Sequence, residues 1–231
     1  MPYYYFDSTY ILILIGAIIS MIASARVKST YAKYEKVFSR SGLTGTEAAR
    51  RILDDAGLRH VRIERISGDL TDHYSPKEQV LRLSDTTYNS RSIAAIGVAA
   101  HECGHAIQHA ENYAPIAIRN AIVPVVNIGS KLSWPMILLG LLFSFSGLLD
   151  LGIIFFSFSL IFQIVTLPVE FNASSRALAI LENSGMLYGE ENDGAKKVLS
   201  AAAMTYVAAV IASLLSLLRL IILFGGRRRD D

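Results

Sequence analysis

The chain has 231 residues, 52% hydrophobic and 18% charged, and its Lys and Arg outnumber Asp and Glu by only two. Charged residues make up about a quarter of an ordinary soluble domain, so this composition excludes a disordered chain, a collagen-like repeat and a conventional soluble enzyme. So small a surplus, with no basic stripe on an aromatic platform, also argues against a nucleic-acid partner. Three apolar stretches, Tyr10–Ala25, Ile137–Leu167 and Ala201–Phe224, need a lipid bilayer as their partner. The expected fold is a predominantly α-helical multi-span membrane protein with a small α+β part. Cys103 is the single cysteine, so no intrachain disulfide can form, which is compatible with a reducing compartment.

In chain order, residues 1–25 read as a retained membrane anchor, because no Lys or Arg precedes the apolar run and no small-residue cleavage site follows it. Tyr3, Tyr4, Tyr5 and Tyr10 suit one membrane interface, and Arg26, Lys28, Lys33 and Lys36 the other. Residues 26–115 form the polar part. There Thr44 and Glu47 have the spacing of a capping box, opening a helix that closes at Gly57. Short strands are predicted around Val61–Ile66 and Val80–Leu83, with a loop containing Pro76 between them. Ser90 is expected to cap a helix that runs to Ala110. Pro115, Pro124 and Pro135 are expected to break up the segment that follows. Residues 116–168 then form a membrane hairpin, turning near Ser146–Gly152. Residues 169–192 carry a polar helix that starts at Glu170, and residues 193–231, capped by Asp193, a last membrane helix and a basic tail.

The chemistry is concentrated in His101-Glu102-Cys103-Gly104-His105, an HExxH motif inside a predicted helix. Residues four apart share a helix face, so both imidazoles can reach one ion. Catalytic zinc takes three protein ligands, and Glu102, beside the first of them, is placed to act as general base on water. His109 is a further four residues along, too far on a straight helix to join them, and reads as a surface or supporting residue. The third ligand must come from elsewhere. Glu170, 65 residues after His105, is the candidate, although a glutamate at a helix start is also favoured by the dipole alone.

At this point the chain resembles the YugP-type zinc membrane metallopeptidases, which share the plan of the membrane gluzincins. The resemblance covers nearly the whole chain and rests on GLTGTEAARRILDDAGL (42–58), LTDHYSP (70–76), SRSIAAIGVAAHECGHAIQHA (90–110) and LPVEFNASSRALAIL (167–181). It implies a zincin-like catalytic α+β part, one Zn2+ per chain, His101, His105 and Glu170 as its ligands, Glu102 as the base, and a polypeptide substrate, membrane proteins included. Gluzincins often have an Asp four residues after the ligand Glu, which orients a ligand His. Here that position is Ser174, and Asn172 and Ser174 both stand as candidates for the role.

A shared ion also constrains topology. His105 and Glu170 must lie on the same side or at the same depth, so the intervening chain crosses an even number of times. Of the 22 Lys and Arg, 15 fall between Arg26 and Lys131, which places that side in the cytoplasm of a multi-pass cell-membrane protein. Arg219 and Arg227–Arg229 disagree, since four crossings put the tail outside. Val80–Ser84 is the candidate edge strand for a substrate backbone, or an ordinary core strand. Tyr74 and His73 could serve an oxyanion or simply belong to a loop, and Arg176 could face the site or solvent. Two other functions compete: an intramembrane protease liganded by Asp150 in a Leu-Asp-Leu-Gly sequence, and a non-catalytic adaptor whose zinc is closed off by His73 or His109.

Overall fold

A computed structural model describes residues 7–225. Tyr3, Tyr4 and Tyr5, and the Arg227–Arg229 tail, lie outside the described residues. The chain forms two compact units: a polar one of residues 24–117 and 167–204, and an apolar one of 7–23, 118–166 and 205–225 among the described residues. Helix α1 (Tyr10–Tyr34) starts in the apolar unit and ends in the polar one.

In the polar unit, α2 (Gly45–Asp55) begins at the expected capping box. The Thr44 hydroxyl accepts from Glu47 N–H at 3.2 Å, and Glu47 Oε2 accepts from Thr44 N–H at 2.8 Å. Its apolar stripe Ala48, Ala49, Ile52 and Leu53 is buried in the main core. Strand β1 (Arg62–Ile66) and strand β3 (Val80–Ser84) are those the sequence predicts, but the loop between them holds a further strand, β2 (His73–Ser75). The order β1-β3-β2 makes β3 the central strand, paired in parallel with β1 (Ile63 opposite Leu81) and antiparallel with β2 (Tyr74 opposite Leu81). β3 is therefore no substrate edge. Its buried Val80, Leu81 and Leu83 already mark a strand covered on its faces.

A single turn, α3 (Asp85–Tyr88), leads to the motif helix α4 (Ile93–Ala110). Its cap is Ser92 rather than Ser90: the Ser92 hydroxyl accepts from Ala95 N–H at 3.1 Å, and Ser90 Oγ donates to Ser92 Oγ. A Cβ on Gly104 would come within 2.7 Å of the Ala173 carbonyl oxygen. Only glycine lets the backbone between the two motif histidines sit this close to the helix that carries Glu170. Gly97 meets Ala195 of the last helix in a similar way, at 3.2 Å.

The prolines do not break the next segment. α5 (Ala114–Leu142) runs through Pro124 and Pro135, and α6 (Ser146–Asn183) through Pro168. Pro115 stands in the first turn, where its missing N–H costs nothing. In apolar helices of this length, neighbouring groups and small local adjustments satisfy the carbonyls that a proline frees. The turn comes at 143–145, ahead of the predicted one, and Glu170 is interior to α6 rather than at a helix start. α7 (Glu190–Phe224) follows Gly189, whose φ of +53° suits a residue without a Cβ. Asp193 lies in its first turn instead of capping it.

α1, α5, α6 and α7 are each long and apolar enough to cross a membrane. In the apolar unit, a Cβ on Gly16 of α1 would lie 3.1 Å from the Ala212 Cα of α7, and one on Gly152 of α6 would lie 3.0 Å from the Ser133 carbonyl oxygen of α5. Such close backbone approach at small residues is how membrane helices pack without a hydrophobic drive between them. Leu138, Leu142, Ile161 and Ile222 face outward, as lipid contact requires. Arg219, whose charge disagrees with its position, is matched by Asp7 at 3.0 Å and lies 4.1 Å from the Tyr10 ring centroid.

Candidate metal centre

α4 presents His101 and His105 on one face with their rings edge-to-face, centroids 4.7 Å apart. α6 brings Glu170, only 4% exposed, against both: its Oε2 is 3.3 Å from His101 Nε2 and 3.5 Å from His105 Nε2. One donor atom from each of the three lies within 4.8 Å of the other two, a group that could hold a metal ion. Two donors bound tetrahedrally to zinc at about 2.0–2.1 Å are roughly 3.3 Å apart, a separation that the two distances to Glu170 match closely. Asp150 is not part of this group. It precedes Glu170 by 20 residues on the same helix, about 30 Å of helical rise. Nor do His73 or His109 supply a fourth donor. His73 Nδ1 is bonded to the Thr71 carbonyl, and His109 Nδ1 to the Tyr74 hydroxyl at 3.0 Å.

Each histidine is held from its far side. Ser174 Oγ is 3.1 Å from His101 Nδ1, one turn of α6 beyond Glu170. His105 Nδ1 is 3.0 Å from Gln108 Oε1. An amide oxygen only accepts, which puts the proton on Nδ1 and leaves the Nε2 lone pair for a metal. Gln108 is wholly buried, and its orientation is fixed because Nε2 donates to the Val169 carbonyl and to Asn172 Oδ1, each at 2.9 Å. Asn172 also accepts from Arg176 Nε at 2.8 Å, and Arg176 pairs with Glu111 at 2.6 Å. Ser174 therefore contacts His101 directly, Asn172 is linked to His105 through Gln108, and Arg176 is tied to Glu111.

Sequence reading missed Gln108. It lies one helical turn after His105, on the same face, and that spacing was the one available signal.

Burial works against the His105 imidazolium, but hydrogen bonds to Glu170 and Gln108 and the charges of Glu102 and Glu170 outweigh it and raise its pKa. Protons therefore compete with a cation at this site as pH falls. Glu102 is 9% exposed, and its Oε2 accepts from Tyr74 N–H of β2 at 3.0 Å. It stands beside the three donors without being one of them. Cys103 points the other way, into the core, where burial pushes its thiol pKa up and the S–H faces the Ala49 carbonyl. It is neither ligand nor nucleophile.

A family model described as "Putative neutral zinc metallopeptidase" matches residues 9–225. The chain belongs to this family. It is also 50% identical over 223 residues to a Bacillus subtilis (strain 168) protein named "Putative membrane protease YugP", covering 96% of this chain and 99% of that one. No solved structure gives a significant match. Membership of a zinc family agrees with the donor set, and the four apolar helices agree with a membrane protein.

Proposed function

We propose that the protein is a membrane-bound zinc endopeptidase of the gluzincin type, holding one Zn2+ per chain through His101, His105 and Glu170, with Glu102 as general base. The observation that carries this is the number of protein donors. Among the described residues three converge, and three is the count of a catalytic zinc site, whereas a structural site has four. That count weighs against the adaptor, and the position of Asp150 against the Asp-liganded alternative. Zinc held there supplies a Lewis acid that polarises a carbonyl and lowers the pKa of water to about 7.

The chain's own residues do the rest. Glu102, oriented by Tyr74 N–H, accepts a proton from the attacking water and returns it to the departing amine. Ser174 and Gln108 engage Nδ1 of the two imidazoles, which would leave each Nε2 free to hold the ion. β2, the edge strand next to Glu102, is where an extended polypeptide would add by backbone pairing. The concentration of basic residues between Arg26 and Lys131 supports a cytoplasmic catalytic side.

Removing the metal from the detergent-purified full-length protein with phenanthroline should abolish hydrolysis of an unstructured polypeptide, and one equivalent of Zn2+ should restore it. Undiminished hydrolysis by the metal-free protein would sink the reading. Gln108→Met removes the acceptor for His105 Nδ1–H at nearly constant volume. It is expected to weaken zinc binding about 10- to 100-fold, measured by competition with a chromophoric chelator. Unchanged affinity would exclude Gln108 from the metal centre.

A further inference from the structure

A second feature of the polar unit lies apart from the metal-binding residues. Facing turns of α1 and α7 wall an open groove of about 830 Å³. Arg26 and Lys33 line it from α1, and Lys196 and Lys197 from α7. The one carboxylate in its lining is Asp193, which leaves a surplus of three positive charges. Among the described residues, none of the four cations has a carboxylate within ion-pair distance. Ser29, Thr30 and Ser200 add hydroxyl donors about one helical turn from these charges.

The groove's position along both helices decides what it suits. On α1, Arg26 is the first charge after the uncharged stretch 10–25, and on α7, Lys197 is the last before the uncharged stretch 198–218. Both walls thus change from polar to apolar at this level, and Ala201 and Met204 complete the lining on the apolar side. A ligand here needs a compact anion next to a hydrocarbon body. We propose that the groove is a binding site for the phosphate headgroup of an anionic phospholipid, with Arg26, Lys33, Lys196 and Lys197 around the phosphate and the acyl chains beginning beside Ala201 and Met204.

The test is native mass spectrometry of delipidated full-length protein in detergent, titrated with phosphatidylglycerol or phosphatidylcholine, with inorganic phosphate as competitor. Phosphatidylglycerol should bind at least about tenfold more tightly than phosphatidylcholine, and millimolar inorganic phosphate should leave it bound. A basic residue at an anionic lipid surface is worth about fivefold in affinity, so R26Q/K197Q should weaken phosphatidylglycerol binding roughly 25-fold. The charge-matched control R59Q/K77Q, at exposed cations outside the groove, should bind like the wild type, and thermal unfolding in detergent would verify that both variants are folded. Equal binding of the two lipids, or equal weakening by the control pair, would overturn the site. Displacement of the lipid by inorganic phosphate would make it a free-anion site instead, and the lipid assignment would fall.

Discussion

Replacing Glu102 with Gln should lower the rate of peptide hydrolysis about 100- to 10,000-fold, the range that a positioned general base contributes, while zinc stays bound. The substitution keeps the size and the acceptor that Tyr74 N–H needs, because the amide oxygen can take the place of Oε2. It removes only the ability to accept a proton from water. Glu102 supplies none of the three converging donors, so metal content should remain at the wild-type level. The measurement is kcat on a fluorogenic peptide together with zinc analysis of the same preparation. Activity within tenfold of wild type, with zinc present, would leave the mechanism without its base.

Local features were legible in the sequence, and contacts between distant segments were not. The capping box of α2 and the face shared by His101 and His105 are set by residues within four positions of each other, so spacing alone reveals them. Glu170 stands out in the sequence only through its context and the need for a third donor near the two histidines, and the turn between α5 and α6 only through the requirement that the chain return to the same side. β2 is only three residues long and exists through its pairing with β3, which no periodicity over three positions can show. The same pairing moves β3 from edge to centre. Pro124 and Pro135 read as breaks because the rule comes from helices in water. Gln108 needed the Val169 carbonyl and Asn172, both more than 60 residues away, before its role could be seen.

The sharpest separation between the competing metal sites comes from Glu170→Ala and Asp150→Ala analysed side by side. Glu170→Ala deletes one of three ligands and leaves His101 and His105 facing a smaller, apolar side chain. The loss should exceed the 10- to 100-fold typical of supporting residues, so the purified variant is expected to retain little zinc and no hydrolytic activity. Asp150→Ala should retain both, since Asp150 belongs to the apolar unit and contributes nothing to the converging donors. Glu170→Gln discriminates further: it keeps an oxygen donor but loses the charge that offsets the dication, so its zinc affinity should fall between wild type and Glu170→Ala. Metal analysis decides among these without reference to any substrate. Zinc lost from Asp150→Ala and kept by Glu170→Ala would move the centre into the apolar segment and reverse the assignment of α6.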